Sequence, residues 1–459
     1  MEPSAPGPTV IAAEGAAREE AARLIRLASP VVVAYLGTVA MGTVDAMMVG
    51  RLGTGALAAV TLANTWNFGI VIVALGAARA LDPVVAQAHG AGDRRTVGAG
   101  LSLGVAMAAL LTLPIFALFS FAEPSLALFG QPQELLAPAG SYCRALLLGV
   151  PGLLAFAVCR QFTQALGVMR PGTIAVLLAN LVNAGLNWVL IYGKLGMPAL
   201  GVLGSGYATA VAQWFMLAAL LFFGRRSFRG HWLGWRAPLA WSALCRLLGI
   251  GLALGLQVGL EVWAFLAAGL MMGRLGAVPL AAHAIAMNLA TVSFMVPNAL
   301  GAASATRVGH LFGAGLHWAR TARVALGLAV GFMLVPAAAF ALAPAALAGL
   351  YTPDATVIAL AATLLPLAGA FQVFDGTQVV SFGVLRGVGD VHLPSAANLV
   401  GYWLVGLPVG WALAFRAGWG ARGVWAGLVL ALAAVAALLV LRLAGVARAG
   451  RSRLLVGPS

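Results

Sequence analysis

The sequence predicts an all-α integral membrane protein of about twelve transmembrane helices in two pseudo-symmetric lobes of six. Three observations support this prediction: 62% of the residues are hydrophobic and only 9% are charged, the apolar residues come in long blocks, and the second half repeats the first. In a typical soluble protein roughly a quarter of the residues are charged. Blocks of about 20 apolar residues cross a bilayer as helices and are too continuous for the strands of an outer-membrane barrel.

The blocks define the predicted organisation of the chain. The predicted spans cover residues 27–46, 57–78, 97–119, 137–160, 172–192, 203–223, 247–270, 282–303, 320–342, 356–380, 395–415 and 423–445. We therefore predict two six-helix lobes at 27–223 and 247–445, an inter-lobe linker at 224–246, and terminal tails at 1–26 and 446–459. No connection is long enough for a soluble domain.

The net charge of +14 is explained by membrane topology. Of the 27 lysines and arginines, 21 fall on the side of the membrane that carries the N-terminus. Basic residues accumulate on the cytoplasmic side, so both termini are predicted to be cytoplasmic, and no nucleic-acid partner is needed. Residues 1–26 mix acidic and basic side chains, which is unlike a cleavable signal peptide.

The three cysteines, Cys143, Cys159 and Cys245, lie in or beside apolar segments and lack a CxxC spacing. Such cysteines usually behave as small buried hydrophobic residues. We therefore predict neither a disulfide nor a cysteine metal site.

An internal repeat relates the two halves at a constant offset of 223 residues. GRLG at 50–53 recurs at 273–276, and VAQAHGAG at 85–92 recurs as VGHLFGAG at 308–315. After small gaps, Gly201 and Gly204 are echoed by Gly420 and Gly423. Each half has an even number of spans, so the halves enter the membrane in the same orientation and are related by an axis along the membrane normal. This is the architecture of many secondary transporters.

Three carboxylates, Asp45, Glu261 and Asp375, fall inside predicted spans. A carboxylate at the bilayer centre costs at least ~2.5 kcal/mol, so such groups usually face a cavity and serve ions or protons. Their own segments contain no lysine or arginine. The structural alternative is pairing with an arginine from elsewhere, and Arg79, Arg144 and Arg386 are the candidates for it.

Other side chains near these acids predict the surroundings of a cation. Gln257 lies one turn before Glu261, while Phe371 and Gln378 lie about one turn either side of Asp375. Phe265 and Phe371 are candidate cation–π surfaces for an organic cation, although packing is the alternative role for both. Glu261 and Asp375 are the predicted ligands if the coupling ion is Na⁺.

The order of motifs resembles that of the multidrug and toxic compound extrusion (MATE) transporters of the NorM type. The segments that carry the resemblance are TVDAMMVGRLG at 43–53, DPVVAQAHGAG at 82–92, GLEVWAF at 259–265, AAHAIAMN at 281–288, GAASATRVGHLFGAG at 301–315 and FDGTQVVSFGVLRGVGD at 374–390. The resemblance implies an antiporter that expels cationic, often aromatic compounds in exchange for Na⁺ or H⁺. It assigns proton coupling to Asp45 and cation binding to Glu261 and Asp375.

The same resemblance implies a polar network of Asn183, Asn187 and Thr209 around Asp45. It adds His283 and Asn288, within AAHAIAMN, as candidate substrate or network residues. The implied protein is a monomer of the bacterial inner membrane that needs no cofactor beyond its coupling ion. The chain departs from the family pattern at Asp82 and Ala284, which bears on substrate range and ion preference.

Competing functions are judged by the residues they require. A P-loop ATPase needs GxxxxGK[ST], but the chain has a single lysine, Lys194, and no such loop. No histidine pattern indicates a metalloenzyme, so we do not expect an enzyme. A lipid-linked saccharide flippase of related fold stays open as the alternative; it would be expected to line its cavity with basic residues, whereas the spans here hold acids.

Overall fold

The computed structural model describes residues 8–229 and 240–449, and within these ranges it is helical without strands. The helices of the first half are α1 (Pro8–Gly50), α2 (Thr54–Ala78), α3 (Leu81–Gly90), α4 (Arg94–Ser120), α5 (Ala122–Leu128), α6 (Gln133–Leu147), α7 (Val150–Ala165), α8 (Arg170–Tyr192), α9 (Gly201–Phe223) and α10 (Arg225–Arg229). Those of the second half are α11 (Trp241–Leu275), α12 (Ala277–Gly313), α13 (Ala319–Leu342), α14 (Pro344–Gly349), α15 (Ala355–Gly387), α16 (His392–Leu399), α17 (Leu407–Trp411) and α18 (Ala421–Ala449).

The described residues contain 11 helices long and apolar enough to cross a membrane, or 12 when α6 and α7, which meet at a bend of 51°, are counted as one span. This bent pair occupies the predicted span 137–160. The bend follows from Pro151 at the start of α7, because proline cannot donate the helical hydrogen bond that would continue α6. The predicted class, a helical membrane protein of about twelve spans, is confirmed.

The eleventh span, His392–Arg416, is not α-helical throughout. Between α16 and α17 the chain winds as a π-helix over Val400–Gly406, and a second π-helical stretch, Ala412–Arg416, follows α17. Pro408 lies in the first turn of α17. The two wide stretches flank this proline, so the span keeps its length despite the missing donor.

The repeat is visible in the backbone. Gly53 and Gly276, the last residues of the two GRLG copies, have φ of +118° and +123° and immediately precede α2 and α12. Gly92 and Gly315, at the ends of the second repeated motif, have φ of +74° and +68°. L-residues with side chains rarely adopt these values, so the repeated glycines mark turns that both halves require.

The chain divides into two compact units. The first, here called the N-terminal unit, is Val33–Val262, and the second, the C-terminal unit, combines Met1–Val32 with Trp263–Ser459. In the N-terminal unit α8 packs closely on α9, and in the C-terminal unit α12 packs on α15. The predicted lobe boundaries remain predictions.

The beginning of α1 belongs to the C-terminal unit. Glu20 accepts hydrogen bonds from Arg307 Nε at 2.8 Å and Nη2 at 3.2 Å, and from Thr321 Oγ1 at 2.8 Å. Residues 8–26, expected as a tail leading into a helix, are thus a continuation of α1 that is held by an ion pair. Residues 1–7, 230–239 and 450–459 of the predicted tails and linker lie outside the described residues.

The cysteine prediction is confirmed for two of the three residues. Cys143 and Cys159 are buried, whereas Cys245 is exposed. The prediction of burial is therefore wrong for Cys245, because its helix α11 presents that position outward near its N-terminal end.

Candidate cation and substrate site

Asp45 and three polar side chains of the N-terminal unit form a closed hydrogen-bonded ring. Asn187 Nδ2 donates to Asp45 Oδ1 at 2.5 Å and to Asn183 Oδ1 at 3.1 Å. Thr209 Oγ1 donates to Asp45 Oδ2 at 3.1 Å and accepts from Asn183 Nδ2 at 3.4 Å. The structure therefore brings together all four residues that the sequence grouped.

The side chains that donate hydrogen bonds to the Asp45 carboxylate are uncharged. The side chain is only 4% exposed, and its donors are amides and a hydroxyl rather than a lysine or arginine. Arg144, one of the arginines considered as a counter-charge, pairs instead with Glu123 at 3.3 Å. Asn187 Oδ1 is buried and lacks a hydrogen-bond partner within the described residues, so the ring also offers an uncommitted acceptor.

Close helix packing holds the ring together. A Cβ on Gly204 would lie 2.5 Å from the carbonyl oxygen of Leu190, and one on Gly206 would lie 2.7 Å from the Cβ of Ala145. These two glycines let α9 approach α8 and α6 at the turn just before Thr209. On the other side, Tyr192 Oη donates to the carbonyl of Met48 at 2.7 Å and fixes α8 against α1.

Tyr142 is a site residue that the sequence analysis missed. It is 1% exposed, and its hydroxyl interacts with the side chains of Asn64 and Thr209 and lies near Asp45. A buried tyrosine hydroxyl usually needs a hydrogen-bond partner. The available signal was a tyrosine in the middle of a predicted span, GSYCRA, which on sequence alone is also consistent with ordinary packing.

Glu261 carries its own polar neighbour. Gln257, one turn earlier on α11, donates from Nε2 to Glu261 Oε2 at 3.0 Å. This orientation leaves Gln257 Oε1 buried and without a hydrogen-bond partner among the described residues. The carboxylate of Glu261 and the side-chain amide of Gln257 are therefore neighbours on α11, one helical turn apart.

Asp375 lies buried on α15 in the C-terminal unit. Gln378, three residues later, is 2% exposed, and its Oε1 has no hydrogen-bond partner in the part of the chain that is described. A neighbouring amide on the same helix, Gln372, accepts from Ser293 Oγ at 2.6 Å and so links α15 to α12.

A run of edge-to-face aromatic contacts crosses the core of the C-terminal unit. Phe265 lies 5.5 Å from Tyr402 and 5.8 Å from Phe371, measured between ring centroids. Phe371 and His283 each lie 5.7 Å from Trp425. The predicted residues Phe265, Phe371 and His283 thus belong to one cluster, to which the structure adds Tyr402 and Trp425. Trp425 was missed because aromatic residues in apolar spans rarely stand out.

Two other residues from the sequence analysis lie elsewhere. Asn288 is exposed and accepts a hydrogen bond from Tyr351 Oη at 2.8 Å, which joins α12 to the segment before α15. Asp82 is fully buried and accepts from Gln161 Nε2 at 3.0 Å. Neither contact connects these residues to the ring around Asp45.

The predicted Na⁺ ligands are divided between the units, with Glu261 in the N-terminal and Asp375 in the C-terminal unit. No group of three or more histidine, cysteine, aspartate or glutamate residues gathers around one point in the described ranges 8–229 and 240–449. Glu261 with Gln257 on α11, and Asp375 with Gln378 on α15, each offer one carboxylate and one amide, ligands that suit hard cations better than transition metals.

Comparison with known proteins supports the sequence resemblance. The MatE family model matches residues 30–189 and again residues 253–412. The two matches are displaced by 223 residues, the offset of the internal repeat. Together they cover well over half of the chain.

Relatives match over nearly the whole length. A probable multidrug resistance protein NorM of Burkholderia pseudomallei is 40% identical over 96% of this chain and 94% of its own. The multidrug resistance protein PmpM of Pseudomonas aeruginosa is 37% identical over 94% of this chain and 92% of its own.

Solved structures share the fold. The eukaryotic MATE transporter AtDTX14 superposes with a TM-score of 0.84 at 24% identity, covering 95% of this chain and 99% of that one. The Vibrio cholerae MATE transporter VcmN in its bent form gives a TM-score of 0.82 at 20% identity, covering 95% and 98%.

Proposed function

This chain belongs to the MatE family, and we propose that it is a secondary antiporter that exports organic cations, many of them aromatic, in exchange for Na⁺ or H⁺. The observation that carries the proposal is the buried carboxylate of Asp45, which is held by neutral donors. In a membrane interior such a carboxylate is stable only when a proton or a cation neutralises it.

Exchange follows from competition for that carboxylate. Asp45 has two oxygens, each already accepting one hydrogen bond, and the acceptor Asn187 Oδ1 is beside it. An organic cation that binds there displaces a proton or a metal ion, because a single negative charge balances only one of them. Entry of the coupling ion from outside then releases the exported compound, provided that the pathway opens to one side at a time.

Two further oxygen pairs are proposed as Na⁺ ligands. Gln257 Oε1 stands beside Glu261, and Gln378 Oε1 is on the helix of Asp375. Each amide oxygen is buried without a hydrogen-bond partner among the described residues, which is costly unless a cation or water supplies one. Coupling to H⁺ through the same carboxylates is the alternative.

Phe265, at the margin of the aromatic cluster, is proposed to favour flat cargo. Its ring is only partly buried, whereas Phe371 and Trp425 are buried in the core, and ring faces attract organic cations. Under this proposal the acids recognise the positive charge of the exported compound, and the aromatic side chain recognises its flat shape. Neither requires one particular structure, so a broad range of cationic aromatic compounds could be exported.

The proposed setting is the inner membrane of a bacterium, with a monomeric chain and both termini in the cytoplasm. The excess of basic residues on one side of the membrane supports this orientation. No cofactor is proposed besides the coupling ion, and the energy source is an ion gradient rather than ATP.

Vesicles reconstituted with the purified chain test the antiport directly. Ethidium is loaded inside, and a Na⁺ gradient and a pH gradient are imposed separately while its fluorescence is followed. We expect at least one inward gradient to drive ethidium efflux, and Asp45→Asn to reduce it to the level of empty vesicles. Glu19→Gln, an exposed acid near the start of α1, is the matched control and should transport normally.

The result also separates the proposal from the flippase alternative. A carrier of lipid-linked saccharides would leave ethidium inside under both gradients and would instead move a fluorescent lipid-linked sugar between leaflets. Efflux that ignores both gradients, or that survives loss of all three acids in Asp45→Asn, Glu261→Gln and Asp375→Asn combined, would contradict an antiporter.

A further inference from the structure

A cavity in the N-terminal unit is lined by basic rather than acidic side chains. Its volume is about 210 Å³. It lies among α1, α2, α7, α9 and α11, and its lining is mostly apolar, with Ile72, Leu75, Leu153, Ala157, Met216 and Val258 as examples. Its polar lining consists of Tyr35, Thr38, Arg79, Arg160 and Gln161. Two positive charges therefore line it, and no carboxylate does.

Arg160 is held in place at this cavity by two aromatic rings. Its guanidinium carbon lies 5.7 Å from the ring centroid of Tyr35 and 5.8 Å from that of Phe156. Cation–π contact of this kind orients a guanidinium without using its N–H donors. The Nε atom of Arg160 is buried and has no hydrogen-bond partner within the described residues.

Arg79, the C-terminal cap residue of α2, also lines the cavity. No ion pair of Arg79 or Arg160 with a carboxylate is found in the described part of the chain. The buried acid nearest in the hydrogen-bond network is Asp82, which is bonded to the amide of Gln161 and does not line the cavity. Arg160 is the last residue of the predicted span 137–160 and lies on α7.

An arginine within a membrane span costs about 2.5–3.5 kcal/mol on insertion scales unless it is paired or solvated. Two arginines that line one cavity without a carboxylate therefore favour an anion. Guanidinium groups bind carboxylates and phosphates through paired N–H donors. The apolar remainder of the lining suits a hydrocarbon or ring attached to such a group.

We propose that this cavity binds the carboxylate or phosphate group of an amphipathic anion, with Arg79 and Arg160 as its charged donors. The hydroxyls of Tyr35 and Thr38 add neutral donors. Cavities for drug-sized ligands usually measure about 300–1,000 Å³, so this one holds an anionic head and a short apolar part rather than a whole drug. The inference does not depend on the antiport, because it concerns a ligand of opposite charge at residues outside the Asp45 ring.

The test uses octanoate as the probe and octanol, of the same chain length without charge, as its comparison. The full chain is purified in a maltoside detergent, and the apparent Tm is measured against ligand concentration. Octanoate should raise the Tm of the wild type more than octanol does. Because hydrogen bonds to charged groups are strong, Arg79→Gln and Arg160→Gln should each weaken apparent octanoate affinity by about tenfold or more.

Three variants make the result specific. Arg160→Lys keeps the charge and should keep most of the response, whereas Arg94→Gln, which removes an exposed arginine outside the cavity, should respond like the wild type. Ala157→Met fills the cavity without changing any charge and should lose the response. If the arginine variants do not fold, Ala157→Met alone tests whether octanoate binds in this cavity.

The natural source of the anion is distinguished in nanodiscs. If an anionic lipid is the occupant, phosphatidylglycerol nanodiscs should shift the octanoate response to about tenfold higher concentration than phosphatidylcholine nanodiscs do. If a soluble carboxylate is the occupant, the two responses should coincide. The proposal is overturned if octanoate and octanol act alike on the wild type, or if Ala157→Met responds as strongly as the wild type.

Discussion

At the scale of single residues, Thr209 is the most informative position in the ring, because its hydroxyl serves both Asp45 and Asn183. We expect Thr209→Val to leave Asp45 with one donor and to cost about 1 kcal/mol of interaction, which would lower the apparent affinity for ethidium severalfold. Thr209→Ser should retain the wild-type affinity. The measurement is ethidium binding by fluorescence polarisation with the purified chain.

The control for this substitution is Thr43→Val on α1. Thr43 is exposed and its hydroxyl donates within its own helix, to the carbonyl of Val39 at 3.1 Å. It lies two residues from Asp45, so it shares the helix but not the ring. Equal loss of affinity in Thr43→Val and Thr209→Val would mean that the ring hydroxyl has no specific role.

Asp93 is a residue whose contribution should depend on pH. It caps α4 by accepting from the backbone N–H groups of Arg95 and Thr96. The hydrogen bond from the Thr96 side chain is the main reason that the pKa of Asp93 is lower than usual. A carboxyl whose pKa is lowered by folding stabilises the protein above its unfolded pKa, and this contribution disappears as the pH falls through the folded pKa.

We therefore expect Asp93→Ala to cost about 1 kcal/mol near neutral pH, the usual value of an N-cap. The corresponding loss of apparent Tm relative to the wild type should be largest at pH 7 and should shrink as the pH approaches 3. Thermal unfolding of both proteins across this range checks it. A difference that stays constant with pH would show that the ionised carboxylate is not what caps α4.

The sequence was sufficient to name the members of the ring around Asp45 but not its contacts. The family resemblance pointed to Asn183, Asn187 and Thr209, and the four-residue spacing of the two asparagines places them on one face of a helix. Tyr142 and Arg160 escaped notice because their meaning depends on which helices become neighbours. From the sequence alone, a tyrosine in a span looks like an ordinary packing residue and an arginine looks like the end of the span. Only the tertiary structure shows which groups surround them.

At the scale of helices, the separation of α8 and α9 is set by Gly204. A methyl group there would lie 2.5 Å from the carbonyl oxygen of Leu190 and 2.7 Å from its carbonyl carbon, so the helices would have to move apart. We expect Gly204→Ala to cost about 1–3 kcal/mol through overpacking. Since Thr209 is on the displaced helix, ethidium transport should fall along with the apparent Tm.

Gly185→Ala on α8 is the matched control, because a Cβ at Gly185 meets nothing within 4 Å. Alanine is also the better helix former, so this variant should be at least as stable as the wild type and should transport normally. If Gly204→Ala behaves like Gly185→Ala, close approach of the two helices is not required for the site.

Helix existence was predictable from hydropathy, whereas helix shape was not. The predicted span 137–160 is two helices, α6 and α7, with a bend of 51°. The prolines indicated where kinks were possible, yet Pro30 and Pro297 lie inside continuous helices while Pro151 begins a new one. The difference lies in whether neighbouring residues replace the hydrogen bond that proline cannot make. Which residues are neighbours is decided by the tertiary structure and cannot be seen in the sequence.

At the scale of the whole molecule, the repeat and the hydropathy together predicted the architecture. The equal backbone angles at Gly53 and Gly276 show that the two halves share a local design. The ionisable residues of the halves differ nevertheless: Asp45 lies in one unit and Asp375 in the other, at positions unrelated by the offset of 223 residues. One scaffold therefore carries two different polar sites, which composition and periodicity alone do not reveal.

The start of α1 provides a test of global stability. Glu20 is paired with Arg307 and Thr321 in the C-terminal unit. Removing one partner of a buried ion pair costs about 3–5 kcal/mol, and the partial exposure of Arg307, 22% of its side chain, moves the expectation to the lower end. Glu20→Gln should lower the apparent Tm, while Glu19→Gln, which removes an exposed charge from the next residue, should not.

Orientation in the membrane is a property of the whole chain that labelling with an impermeant maleimide would establish. Cys143, Cys159 and the exposed Cys245 are first replaced by alanine, and a single cysteine is introduced at one of two exposed positions. Lys194 lies between α8 and α9, and Arg94 lies at the start of α4. The charge distribution assigns these positions to opposite sides, with Arg94 in the cytoplasm.

Lys194→Cys should therefore be labelled on intact cells, and Arg94→Cys only after permeabilisation. The reverse pattern would place the termini outside, and the proposed export would then have to run in the other direction.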